Sequence, residues 1–84
     1  MAAKTPTIHE LGQSGGSREI LCKFSDIDDA DTWASGLGVI LAKVIDNETD
    51  GTVVSATFSA GTFTFTVAGS GTNKAVSMIV KVRS

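Results

Sequence analysis

The chain has 84 residues, 42% of them hydrophobic, and a formal net charge of −2 at neutral pH. That length holds one small domain whose own core is marginal, and the acidic balance excludes the basic stripe that nucleic-acid binding requires. A single cysteine, Cys22, and a single histidine, His9, exclude an internal disulfide and a Cys/His zinc site within one chain, so oligomerisation is the remaining way for so small a fold to gain stability.

The N-terminal run Met1-Ala2-Ala3-Lys4-Thr5-Pro6 lacks the apolar stretch of a secretory signal, and no apolar run approaches the roughly 20 residues of a membrane span. Synthesis in a cytoplasm is expected, which suits one free thiol. Residues 1–17 follow neither the helical nor the strand period and end in the Gly/Ser-rich stretch Gly12 to Ser17. They read as a flexible N-terminal arm. Within it, Ile8 and Leu11 are the apolar pair that an ordering arm would bury on a partner. Residues 18–84 read as a single β-rich domain that stays folded without the arm.

Arg18 to Phe24 alternates, with Ile20, Cys22 and Phe24 on one face, and is expected to be a strand. The acidic turn Asp26 to Thr32 follows. Trp33 to Asp46 fits two periods. A helix over about 31–45, capped by Asp31 or Thr32, would align Trp33, Leu37, Ile40, Leu41 and Val44. Against it, Gly36 and Gly38 each weaken a helix by about 1 kcal/mol, and Val39 to Ile45 is β-branch-rich and of strand length. Asp50-Gly51 and Ala60-Gly61 mark tight turns. Between and after them, Thr52–Ser59 and Thr62–Val67 alternate cleanly, and Ala75–Val82 closes the chain with Val76, Met78, Val80 and Val82 on one face. The sum is an all-β fold of about five antiparallel strands, a small sandwich or barrel. The alternative is an α+β layer with the one helix.

Catalytic chemistry is missing. His9 lies in the arm with no nucleophile elbow anywhere, and Cys22 shares the apolar face of its strand. The Gly12 to Ser17 stretch lacks the Gly-Lys-Ser/Thr ending of a phosphate loop. Both acidic runs fail a calcium-loop frame. The one starting at Asp26 has Asp31 where glycine is needed, and the one starting at Asp46 ends on Thr57 where a bidentate carboxylate is needed. Turn chemistry, with Asp and Asn bonding nearby backbone, is the expected role of both. No enzyme activity, cofactor or metal is expected. Trp33, the lone tryptophan, is either a core residue or an interface anchor, and joins Ile8 and Leu11 as a partner-binding candidate. Leu21, Val53 and Ile79 lie opposite the main apolar face, as in a sandwich core or an oligomer interface.

The stretch Asp28 to Leu37, with its Asp31-Thr32-Trp33 turn, then Val39 to Ile45, then Ser59 to Val67 with its Gly-Thr-Phe-Thr-Phe core, resembles small proteins encoded among the head genes of tailed bacteriophages. The resemblance spans residues 18–82. It implies a virion structural protein made in the host bacterial cytoplasm, foremost a capsid decoration or cement protein. Such a protein forms a small homo-oligomer, a trimer being one candidate, and clips onto the major capsid protein, with no nucleic-acid or membrane partner. A neck or tail component and a small carbohydrate- or host-binding β-module are the alternative functions.

Overall fold

The computed structural model describes residues 2–83; Met1 and Ser84, the outer ends of the expected arm and domain, lie outside the described residues. Seven strands are present among the described residues: β1 (Thr7–Ser14), β2 (Ser17–Ile27), β3 (Thr32–Ala34), β4 (Ile40–Asn47), β5 (Val54–Ser59), β6 (Thr62–Val67) and β7 (Lys74–Arg83). A single 3₁₀ turn, Ala68–Ser70, joins β6 to β7. The fold is all-β, with two antiparallel sheets in the strand orders β1-β2-β7-β4 and β3-β6-β5. None of its described helical residues forms a segment long and apolar enough to cross a membrane.

Alternation writes the core. Ile20, Cys22 and Phe24 of β2 and Val76, Met78, Val80 and Val82 of β7 turn inward from the four-stranded sheet. Trp33, Val54, Ala56, Phe63, Phe65 and Val67 meet them from the three-stranded one. A register shift between Phe24 and Ile27 lets two residues an odd number apart both reach the core, as a bulge does. The sheets are joined at their centre by aromatic edges. Phe24 meets Trp33 with ring centroids 5.6 Å apart and Phe65 at 4.9 Å, while Trp33 stacks on Phe63 at 5.4 Å. Edge-to-face and offset-stacked pairs at these distances each add about 0.5–1.5 kcal/mol beyond area burial.

The all-β reading stands, but the first change is in the strand count: seven strands in two sheets replace the expected five. The alternative helix over 31–45 does not form. Thr32–Ala34 pairs with β6, Gly36 sits at φ 71° where a right-handed helix is impossible, and Ile40–Asn47 pairs with β7. What holds residues 35–37 is the β5–β6 turn. The N–H groups of Ser35 and Gly36 and the Ser35 hydroxyl all donate to the Gly61 carbonyl, and the Leu37 N–H donates to Ser35 Oγ.

The second change concerns the segment read as a flexible arm of residues 1–17. Thr7–Ser14 is an edge strand, paired with β2 from Thr7 opposite Lys23 to Ser14 opposite Ser17. Residues upstream lie beside β3 in the other sheet. The Thr32 N–H donates to the Ala2 carbonyl at 2.9 Å, and the Lys4 N–H donates to the Thr32 carbonyl at 2.7 Å. The chain then crosses between sheets at the buried Pro6, a residue with no N–H to leave unpaired there. The N-terminal segment thus borders both sheets. Its removal uncovers the β2 edge and the β3 edge together, so a domain that folds unchanged without it is no longer the expectation.

Both two-residue hairpin turns use left-handed backbone. Gly15-Gly16 joins β1 to β2 at φ 54° and 85°, and Ala60-Gly61 joins β5 to β6 at φ 50° and 84°. This is the turn whose twist matches the flanking strands. Ala60 adopts it with a Cβ, a conformation that disfavours L-residues by about 1–2 kcal/mol and that asparagine tolerates better. Ala60 is exposed, so Ala60→Asn is expected to raise the thermal midpoint by a few degrees, measured by circular dichroism, with the hairpin otherwise unchanged.

Candidate association surfaces

The three residues singled out by sequence do not converge. Trp33 is only 6% exposed and belongs to the core, between Phe24 and Phe63. Ile8 and Leu11 are on β1 and about half exposed, at 48% and 50%. Ile8 stands opposite Cys22, hence on the core side of the sheet. Leu11 is the extra residue of a bulge between Glu10 and Gly12.

A different apolar feature crosses the outer face of the four-stranded sheet. Register places His9, Leu21, Ile79 and Val44 side by side on β1, β2, β7 and β4. Leu21 is half-buried, Ile79 is 40% exposed and Val44 66%. The row on one side is Thr7, Lys23, Ser77 and Asp46, and on the other Gly12, Glu19, Lys81 and Ala42. The result is an apolar band between two charged margins, with a shallow dip lined by Glu19, Ala42, Lys43, Val44, Ile79 and Lys81. Lys23 reaches Glu48 at 3.0 Å, and that hydrogen bond draws the Glu48 carboxyl below its ordinary value. The signal for this band was the two-sided apolar character of Leu21 and Ile79. Val44 was missed because its segment also matched a helical stripe.

The acidic runs are engaged in folding. Asp31, 1% exposed, accepts from the Ala2 N–H at 2.9 Å and the Asp28 N–H at 2.8 Å, and lies 3.5 Å from the Lys4 ammonium. Burial by itself raises the Asp31 carboxyl. The Asp28 and Ala2 N–H groups and Lys4 outweigh it and hold the group below its usual value. Asp29 accepts from the Val67 N–H and Asp28 from the Asn73 N–H, so one turn ties β2 to residues on either side of the 3₁₀ turn. In the second run, Asn47 accepts from the Thr49 N–H, Asp50 accepts from the Thr52 N–H, and Lys74 meets Asp50 at 2.7 Å. The Lys74 hydrogen bond, with that of Thr52, holds Asp50 well below the usual carboxylate range. Among the described residues no group of three or more His, Cys, Asp or Glu is arranged to hold a metal ion.

Cys22 is fully buried, and burial pushes its thiol up to about 11. A thiolate nucleophile at neutral pH is therefore not supplied by this side chain. His9 is exposed on β1 with leucine 21 as its cross-strand neighbour. Phe24, Trp33, Phe63 and Phe65 are buried and Phe58 packs on Phe63, so these rings do not form the open stacking platform of a sugar-binding module.

Comparison of the chain with protein-family models, with curated proteins and with solved structures finds no match in any of the three.

Proposed function

We propose that this chain is a non-catalytic structural protein of a tailed-bacteriophage virion, a capsid decoration or cement protein that acts by covering its outer surfaces with protein partners. The observation that carries the reading is the Leu21–Ile79–Val44 band. Apolar side chains aligned across three strands and rimmed by charge form the pattern of a surface awaiting a partner, with an apolar centre and a polar rim. The fold is read as an open two-sheet sandwich rather than a closed barrel, since each sheet keeps its own edge strands. The virion setting rests on the likeness of residues 28–37 and 59–67 to phage head proteins. The band is assigned to the major capsid protein. Its charged margins, Lys23 and Asp46 on one side and Glu19 and Lys81 on the other, set the orientation of docking.

The test is co-sedimentation with capsid particles assembled from the major capsid protein of the same genome. Val44→Asp combined with Ile79→Asp puts two charges into the band without touching the core. Particle affinity is expected to fall at least about thirtyfold, the effect of losing a central apolar contact of about 2 kcal/mol or more. Trp33 fluorescence and the thermal midpoint are expected to stay close to those of the unaltered chain. Undiminished occupancy by the variant would remove the band from the docking surface.

A further inference from the structure

We propose that the free edge of β5 is a self-pairing site, at which two copies of this chain join their three-stranded sheets into one continuous six-stranded sheet. This deepens the associating role proposed above and does not depend on the virion setting.

The starting point is which backbone groups remain unpaired. The two-residue turn at Ala60-Gly61 makes Ser59 and Thr62 a hydrogen-bonded pair. Alternation then gives Thr57 with Thr64 and Ser55 with Thr66 as hydrogen-bonded pairs, and the Ala68 N–H donating to the Val53 carbonyl continues the series. The N–H and C=O groups of Val54, Ala56 and Phe58 therefore point away from β6. β5 ends its sheet, and no other described segment pairs with it there. The chemistry that satisfies such a row is another extended strand.

The other three sheet edges are closed to that use. β1 carries a bulge at Glu10 to Gly12, and its Glu10 stands on the core side opposite Ile20. β4 carries a register shift between Ile40 and Ala42, and its Lys43 stands on the core side opposite Val80. Bulges and inward-facing charges are the devices that block edge pairing. The β3 edge is occupied by residues 2–4 of the same chain. β5 has none of these devices: its pairing with β6 is regular over its whole length, and no charged residue occurs from Gly51 to Asn73.

The same features select a second copy as the occupant. A two-fold axis normal to the sheet requires paired residues to share a face. Centring it on Ala56 sets Val54 opposite the partner's Phe58, Ala56 opposite the partner's Ala56, and Ser55 opposite the partner's Thr57. The unpaired groups then meet one another, forming on the order of six backbone hydrogen bonds. The smallest side chain of the strand sits on the axis, where two identical residues meet. Val54 and Phe58 extend the apolar layer across the junction, and hydroxyl residues pair on the outer face. No charge is brought against its own copy, which pairing through β1 or β4 would not ensure.

Sedimentation velocity across the micromolar range tests this, with Ser55→Lys combined with Thr57→Lys as the main variant. Both positions are exposed, and in the proposed register each lysine faces a partner's lysine. The unaltered chain is expected to be a dimer, and the variant to dissociate with a constant about tenfold or more higher, its Trp33 emission unchanged. A second measurement fixes the register. Ser55→Cys and Thr57→Cys are outward and lie at a non-hydrogen-bonded pair, with Cα atoms about 4.5 Å apart, within disulfide reach. Oxidised together they are expected to give cross-linked dimers, and neither alone, since the native Cys22 is buried. A monomer at every concentration overturns the proposal, as does a trimer, a dimer insensitive to the lysines, or a mixture that does not cross-link. Particle co-sedimentation that persists in any of those cases leaves the associating role standing and removes only the β5 pairing.

Discussion

Trp33→Ala is expected to destabilise the domain by about 3–5 kcal/mol, enough to unfold much of a chain of this size near body temperature. The side chain is 6% exposed and joins the two sheets, stacked on Phe63 in its own sheet and edge-on to Phe24 in the other. Its strand is only three residues long, so backbone pairing alone gives it little hold. Removing the indole leaves a cavity between sheets that cannot collapse without shifting both. Chemical denaturation followed by far-ultraviolet circular dichroism checks the loss. The opposite role, an exposed anchor for a partner, would leave the midpoint nearly unchanged while weakening association. In the unaltered chain Trp33 is the sole tryptophan and there is no tyrosine, so its emission reports this junction alone. It is expected to be blue-shifted when folded and to move red on unfolding.

Asp31→Ala is expected to cost about 2–4 kcal/mol and to lower the thermal midpoint by roughly 10–20 °C. Two N–H groups lose a charged acceptor at once, from Ala2 and from Asp28, and Lys4 loses its inner partner. Because Ala2 and Lys4 bracket Thr32, the variant should also release the N-terminal segment, seen as faster hydrogen exchange at the amides of Lys4 and Thr32. The sign with pH follows from the lowered carboxyl of Asp31. A group whose folded pKa lies below its unfolded value contributes its stability above the unfolded value, near 3.9 for aspartate, and loses it as pH falls through the folded one. The unaltered chain is thus expected to hold its midpoint down to about pH 5 and lose stability below about pH 4. Asp31→Asn should flatten that acid limb. A limb identical in both chains would show that other carboxylates govern it.

How far the fold was legible depended on side-chain contrast. β2, β6 and β7 bury an apolar residue at every second position, over Ile20–Phe24, Phe63–Val67 and Val76–Val82, so period alone located them. β1 carries no such contrast, because its core-side positions are Ile8, half exposed, and Glu10, exposed. An edge strand held through its backbone writes little into its side chains. The Gly15-Gly16 turn, read as a linker, was the available sign of a hairpin. Trp33 to Val44 was ambiguous in another way. Its apolar spacing also fits a helix, while Gly36, Gly38 and the β-branched run favoured the strands that form on either side of the left-handed Gly36. The role of the aspartates as backbone acceptors was legible from composition. That Asp31 reaches Ala2 was not, since nothing local joins residues so far apart in sequence. The outer band was half visible: Leu21 and Ile79 stood out as apolar residues on the wrong face, and Val44 joined them only once β4 was set beside β7.

The proposed role requires that the outer surfaces of this domain be covered by partners. Sedimentation of the purified chain, alone and mixed with capsid particles of the same genome, tests it most directly. The purified chain is expected to self-associate on its own and to co-sediment saturably with particles, an association lost on Val44→Asp with Ile79→Asp. A chain that stays monomeric alone and remains in the supernatant with particles would contradict it.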